Sequence, residues 1–117
     1  MSTQIGIDKN LIQYLETVGY RSDNLIDKLV EETLALGSIS RMQIAPEQGQ
    51  FLEIIVKISH AKNCLEIGRF TGLSSLCIAR GLPENGKLVT VDNSDEFLAI
   101  AKKYWKMALI NTKIENI

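Results

Sequence analysis

The stretch LEIGRFTGLSS (residues 65–75), together with VD at residues 91–92, indicates the fold class of this chain. A short apolar run, Asn63 to Ile67, predicts a buried strand that ends at a glycine. The loop Gly68 to Gly72 follows, and a helix is predicted to open at Leu73. This order places free N–H groups of a helix N-terminus beside the end of a strand, where a ligand can approach the backbone.

Outward from this stretch, strands and helices alternate. The helix from Leu73 ends at Arg80 and leads through the turn PENG (residues 83–86) to a second predicted strand, Lys87 to Val91. Asn93 or Ser94 is predicted to cap a helix that reaches about Ala108, and residues 112–117 start a third strand. Strand, helix and strand in this order predict a parallel α/β sheet.

Residues 1–45 are predicted to be a helical lead-in, and residues 46–117 the first half of an α/β domain that stops as its third strand begins. A helix is expected from Pro46, a favourable first-turn residue. Apolar side chains surround much of that helix, so it is predicted to be well buried. These residues are Phe51, Leu52, Ile54, Ile55, Val56 and Ile58.

Composition excludes several classes of protein. Thirteen Lys+Arg against fourteen Asp+Glu give a net charge of −1, which speaks against nucleic acid or a membrane surface as partner. No apolar run has the roughly 20 residues of a membrane helix, and the first residues lack a secretory signal. Cys64 and Cys77 lie in apolar stretches, which predicts free thiols and a cytoplasmic location. The single histidine, His60, predicts no metal site in this chain.

The residues around the glycine loop indicate the kind of ligand. Asp92 follows Gly68 by 24 residues, a separation that suits a carboxylate accepting hydrogen bonds from a ribose diol. Phe70 stands where a dinucleotide site needs its second glycine, and Glu66 adds negative charge where a pyrophosphate would lie. Glu66 instead suits an ammonium or sulfonium group. The pattern therefore favours S-adenosylmethionine over NAD.

Four segments carry a resemblance to a known family: MQIAPEQGQFL (42–52), AKNCLEIGRFTGLS (61–74), LPENGK (82–87) and VD (91–92). Together they resemble the cation-dependent class I S-adenosylmethionine O-methyltransferases, the caffeoyl-CoA and catechol O-methyltransferase-like group. The resemblance runs from about Arg41 to the last residue. It implies the N-terminal half of a Rossmann-like class I methyltransferase fold, preceded by a helical segment.

The resemblance also implies roles for particular positions. Glu66 and Gly68 match the loop residues that hold the methionine part of the donor, with Arg69 as the next backbone contact, although the family has a small or apolar residue there. Ser74 matches a donor-binding hydroxyl, and Asp92 matches the carboxylate on the ribose. Ile44 falls where the family makes a backbone contact to the donor near the site entrance. These six residues are the predicted cofactor site, and no catalytic residue is assigned in this chain.

Members of the resembling family are about twice as long. The second half of their fold would carry the adenine contact, the divalent-cation ligands and the groups that bind a hydroxylated acceptor, catechol-like or caffeoyl-CoA-like. Methyl transfer by this chain alone is therefore not expected. Cutting the sheet here would expose an apolar strand edge, which predicts self-association, and the family resemblance implies homodimers.

Two other interpretations stay open at the level of sequence. In the first, the chain is a non-catalytic remnant that self-associates. In the second, it is a fragment of an unrelated nucleotide-binding Rossmann protein. Each site residue also has a purely structural interpretation. Glu66 or Asp92 would cap a neighbouring helix, Ser74 would satisfy backbone groups in a first helical turn, and Gly68 would serve only the turn.

Overall fold

The computed structural model describes residues 3–117. The first two residues of the predicted lead-in lie outside the described residues. Within the described range the chain forms five α-helices and three β-strands. In chain order they are α1 (Lys9–Tyr14), α2 (Asn24–Leu34), α3 (Pro46–Ile58), β1 (Asn63–Ile67), α4 (Leu73–Gly81), β2 (Lys87–Val91), α5 (Leu98–Met107) and β3 (Ile114–Asn116). A π-helical turn at Leu15–Gly19 continues α1, and 3-10 turns span Ser38–Met42 and Asn111–Lys113.

The three strands form one parallel sheet in the order β1-β2-β3. The register sets Cys64 beside Leu88 and Glu66 beside Thr90. Because side chains alternate along a strand, these four residues share one face, which we call the front face. Val56 on α3 and Ile78 on α4 pack against Leu88 in one apolar cluster. The parallel sheet and its covering helices confirm the predicted fold class.

The main core lies between the helices rather than within the sheet. α4 and α5 contribute most of it, and α2 closes it from the side of the lead-in. Its buried members are Ile26, Leu29, Leu73, Leu76, Cys77, Ala79, Ala101, Tyr104, Trp105 and Ile110. The close contact of α3 with α4 depends on Gly49, where a Cβ atom would lie 2.7 Å from the Cys77 Sγ. α2, α4 and α5 therefore pack around this main core.

Two sequence expectations about helices are wrong. α5 begins at Leu98, not at Asn93 or Ser94, because the Asp92 and Ser94 side chains accept hydrogen bonds from amides two residues later and close turns of their own. The prediction that α3 is well buried also fails. Its residues Phe51, Ile54, Ile55 and Ile58 are exposed.

Apolar side chains are exposed on α3 and on β1. Those of α3 lie at spacings of three and four, so they form one stripe along the helix. On the rear face of the sheet, Leu65 is 67% exposed and Ile67 is 83% exposed. β1 also forms an edge of the sheet, with β2 as its neighbour on one side only. β1 therefore has a free edge and exposed apolar side chains on the rear face, and α3 has an exposed apolar stripe.

Candidate functional site

The glycine loop connects the carboxyl end of β1 to the start of α4. The Gly68 amide donates a 2.7 Å hydrogen bond to the Val91 carbonyl, so the loop is tied to the end of β2 as well. Gly68 has a φ of +88°, and a Cβ atom built there would meet no atom within 4 Å. Phe70 also has a positive φ, +47°, which is an uncommon conformation for a residue with a large side chain. The loop is therefore constrained, and it is open on the side of Gly68.

α4 starts directly at the loop, without a side-chain cap. Its N-cap residue is Gly72, at a φ of +89°. The Trp105 indole N–H donates to the Gly72 carbonyl at 3.0 Å, and a Cβ atom at Gly72 would lie 2.7 Å from the Ala101 Cβ. Gly72 is thus fixed by close packing of α5, whereas the first-turn amides of α4 have no side-chain acceptor from the N-cap residue.

Glu66 is buried at the end of β1, with 8% of its surface exposed. Its Oε1 atom accepts a hydrogen bond from the Ser75 hydroxyl and one of 2.7 Å from the Thr90 hydroxyl. Among the described residues, all side-chain hydrogen bonds to this carboxylate fall on Oε1. A buried carboxylate needs such donors. The arrangement fixes one oxygen and leaves the lone pairs of Oε2 for another donor.

Asp92 follows β2 and is joined to the glycine loop. Its Oδ2 atom accepts hydrogen bonds from the Arg69 amide at 2.9 Å and the Phe70 amide at 3.4 Å, while Oδ1 accepts from the Ser94 amide at 3.0 Å. The Arg69 amide is the main reason that the pKa of this carboxyl lies below its ordinary value, and the other two amides add to the effect. Asp92 is ionised at neutral pH, with one lone pair of Oδ1 left for a hydroxyl donor.

Arg69 has its side chain turned into the protein. The guanidinium donates to the Asp95 carboxylate at 2.8 Å, the Ser94 carbonyl at 3.3 Å and the Ile117 carbonyl at 3.1 Å. Only 1% of the side chain is exposed. The long cation at a position where a small or apolar residue was expected is therefore accommodated below the loop, and only its backbone borders the open side.

Ser74 and Ile44 lie at the margin of this arrangement. Ser74 is half-buried in the first turn of α4, and Ile44 is half-buried between the 3-10 turn and α3. The residue before Ile44 is tied to the glycine loop, since the Gln43 side-chain Nε2 donates to the Thr71 hydroxyl at 3.2 Å and to the Thr33 hydroxyl at 3.0 Å. Of the six predicted residues, the structure brings Glu66, Gly68, Arg69 and Asp92 together at the ends of β1 and β2.

Sequence analysis did not predict the contacts that several hydroxyl side chains make around the site. Ser75 and Thr90 orient Glu66, and the buried hydroxyls of Thr33 and Thr71 hydrogen-bond to each other at 3.0 Å. The front-face position of Thr90 in a strand of apolar neighbours is a signal that could have found it. A polar residue at a core position of a buried strand needs a partner.

Within residues 3–117, no group of three or more His, Cys, Asp or Glu side chains is arranged to hold a metal ion. A cavity of about 600 Å³ lies between the lead-in and α3, with Tyr20, Asp23, Gln50 and Arg80 in its wall. The glycine loop itself lies at the carboxyl ends of β1 and β2.

A parallel sheet, a glycine loop opening into a helix and acidic residues at two strand ends define a Rossmann-like domain of the class I methyltransferase type. A family model described as O-methyltransferase matches residues 16–117. The chain belongs to this O-methyltransferase family, which confirms the resemblance drawn from its motifs.

Individual relatives agree with this assignment. Caffeoyl-CoA O-methyltransferase 2 of Petunia hybrida is 37% identical over 106 residues, 90% of this chain and 44% of that protein. A catechol O-methyltransferase of Niastella koreensis is 31% identical over 86% of this chain and 44% of its own length. The crystal structure of an O-methyltransferase from Bacillus cereus in complex with S-adenosylhomocysteine matches with a TM-score of 0.72 and 32% identity, over 90% of this chain and 47% of that one.

The chain thus spans about half the length of the curated relatives it matches. Among residues 3–117, none of the helices has both the length and the apolar character that crossing a bilayer requires.

Proposed function

We propose that this chain is the donor-binding half of an S-adenosylmethionine-dependent O-methyltransferase. The observation that carries the proposal is the fixed carboxylate of Glu66, which keeps Oε2 available beside a loop that is open at Gly68. A carboxylate in this position attracts a cationic ligand and disfavours a pyrophosphate. An O-methyltransferase family model that matches residues 16–117 supports the same donor.

The residues present fit that cofactor. Glu66 would accept a hydrogen bond from the donor's ammonium group, and the space above Gly68 would admit its methionine part to the backbone of Arg69. Asp92 would accept a hydrogen bond from a ribose hydroxyl with the lone pair of Oδ1 that the three amides leave free. Ser74 would donate from the first turn of α4, and Ile44 would contact the donor through its backbone at the entrance.

When bound, S-adenosylmethionine supplies an electrophilic methyl group, and the residues of this chain bind and orient it. The acceptor we propose is a hydroxyl of a catechol-like or caffeoyl-CoA-like compound. The groups that bind this acceptor, and the divalent cation that the family resemblance implies, would belong to the half of the fold that these residues do not include. Residues 46–117 would be the first half of the donor domain and residues 1–45 its lead-in. On their own, the 117 residues are proposed to bind the donor without transferring its methyl group.

Calorimetric titration with S-adenosylhomocysteine tests the donor site. The unmodified chain is expected to bind, and Asp92→Ala and Glu66→Gln are expected to weaken binding by about tenfold or more, the loss that follows removal of a charged hydrogen-bond partner. Asp27→Ala, which removes an exposed carboxylate on α2, is the matched control and keeps full affinity. Failure of a folded chain to bind, or saturable binding of NADH instead, overturns the proposal.

We also propose that the chain associates with a second copy through the free edge of β1. The exposed α3 stripe and the rear-face residues Leu65 and Ile67 support this proposal, because an unpaired apolar edge invites pairing. A two-fold axis at this edge would set the two β1 strands antiparallel. Sedimentation velocity is expected to show a dimer that Leu65→Lys dissociates and that Lys106→Glu, an exposed change on α5, leaves intact. A stable monomer at high concentration contradicts this.

A cytoplasmic location is proposed on the basis of the thiols. Cys64 and Cys77 are both free, and Cys77 is buried. Free thiols are typical of a reducing compartment. Expression of a labelled form of the protein, followed by cell fractionation, tests the location. Recovery of the label with secreted proteins would contradict a cytoplasmic location.

A further inference from the structure

Arg69 is a buried cation with an incomplete set of partners. Its side chain is 1% exposed, and its Nε atom has no hydrogen-bond partner. Removing a charge from water is unfavourable unless partners compensate for it. The three acceptors of the guanidinium compensate for the burial of its charge. They also show which parts of the chain Arg69 connects.

Two of these acceptors lie in one short segment. The Ser94 carbonyl and the Asp95 carboxylate belong to residues 92–97, which connect β2 to α5 without regular secondary structure. The side chain of Asp95 is 80% exposed, so the segment itself lies at the surface. The third acceptor, the Ile117 carbonyl, follows β3. One side chain thus joins the glycine loop to the residues that follow β2 and to the residue that follows β3.

The same residue contacts this segment a second time through its backbone. The Arg69 amide donates to Asp92 Oδ2 at 2.9 Å, while the Arg69 guanidinium binds two and three residues further along. The amide therefore holds the Asp92 carboxylate itself, and the guanidinium holds the backbone and side chain of the residues that follow Asp92. A charge-assisted bond to Asp95 resists displacement more than a neutral one does.

We propose that Arg69, through its ion pair with Asp95, is a positioning residue that fixes the Asp92 carboxylate for the ribose of the donor. This inference rests on the proposed donor site. Arg69 contributes to donor affinity without its side chain touching the donor, since the guanidinium lies below the loop. Arg69 acts on donor affinity only through the position of the Asp92 carboxylate. Replacing Arg69 therefore has no effect on affinity when that carboxylate is absent.

A double-mutant cycle on the full chain tests this, with S-adenosylhomocysteine as the probe. Arg69→Met keeps an unbranched side chain of similar length in the buried position, and it is expected to weaken binding by about tenfold. In the Asp92→Ala background the same change is expected to alter affinity by less than about twofold, because coupled residues are not additive. Equal losses in both backgrounds overturn the positioning role. Binding by the unmodified chain that only Asp92→Ala weakens overturns it too, while the donor site stands.

A second variant remains informative if Arg69→Met fails to fold. Asp95→Asn changes an exposed side chain and removes only the charge of the pair. It is expected to weaken binding by about threefold and to speed hydrogen exchange at the Arg69 and Ser94 amides, which donate to Asp92. Glu96→Gln is the matched control, since Glu96 is exposed in the same segment and is expected to change neither. Exchange is measured without ligand. Unchanged exchange in Asp95→Asn therefore overturns the positioning role of Arg69 even if no chain binds S-adenosylhomocysteine.

Discussion

Glu66 and Thr90 are direct partners across β1 and β2, and the Thr90 hydroxyl donates a 2.7 Å hydrogen bond to Glu66 Oε1. This bond links the end of the strand before the glycine loop to the neighbouring strand on the front face. It also orients the carboxylate, because Ser75 on α4 donates to the same oxygen. The geometry of the acidic group thus depends on sheet register as well as on the loop.

Thr90→Val is expected to destabilise the chain. The change keeps the shape of the side chain and removes a donor from a buried carboxylate, at a cost of about 1–2 kcal/mol in the free energy of unfolding. Urea unfolding followed by the fluorescence of Trp105 measures the difference. Thr112→Val, at an exposed position, is the control and is expected to have little effect. Equal unfolding midpoints for the two variants would show that the hydroxyl of Thr90 is not needed.

The two glycines of the loop are expected to respond differently to alanine. Gly72→Ala brings a Cβ atom within 2.7 Å of the Ala101 Cβ and the Trp105 Nε1, so overpacking and positive φ together lower stability by about 2–4 kcal/mol. Gly68→Ala faces open space and lowers stability by only about 1 kcal/mol, from its φ alone. Its Cβ atom enters the proposed donor site, so calorimetry is expected to show loss of S-adenosylhomocysteine binding in a folded protein. Unimpaired binding by Gly68→Ala would move the site elsewhere.

Local patterns were sufficient to place β1 and β2, whereas β3 is shorter than the predicted 112–117 because residues 111–113 form a 3-10 turn. β1 and β2 have the predicted bounds because each is a short apolar run between polar or glycine residues, and the glycine loop follows from the same local signal. The start of α5 was not predictable in this way. Ser94 and Asp92 are good helix caps by residue type. In the structure their side chains accept hydrogen bonds from the Glu96 and Ser94 amides instead, so neither residue caps α5.

The contacts of Arg69 lie beyond any local signal. Its side chain binds residues 25, 26 and 48 positions later in the chain, and only the assembled sheet brings them within reach. The exposure of α3 has a similar cause. The apolar pattern of that helix shows that it favours burial. Whether another element covers the apolar side chains depends on tertiary packing, which the local pattern does not contain.

The stability contributed by Asp92 is expected to depend on pH. Its pKa is lowered in the folded chain by the amides of Arg69, Ser94 and Phe70, so the ionised form stabilises the fold above the ordinary value of 3.8. This contribution is lost as the pH falls through the lower, folded pKa. The difference in unfolding free energy between the unmodified chain and Asp92→Asn is expected to be constant above about pH 5 and to shrink below it. Urea titrations at a series of pH values measure it, and a difference that does not change with pH contradicts the prediction.

The two thiols are expected to differ in reactivity. Burial raises the pKa of Cys77 to about 12, and it raises the pKa of the half-buried Cys64 as well. Because the thiolate is the reactive species, Cys77 is neutral and unreactive near pH 8, a typical pH for thiol reagents, whereas Cys64 reacts slowly at the surface. A disulfide reagent is expected to modify one thiol in the native chain and two in denaturant. Cys64→Ser is expected to abolish the native reaction, and rapid native modification of that variant would show that α4 opens away from Gly49 and exposes Cys77.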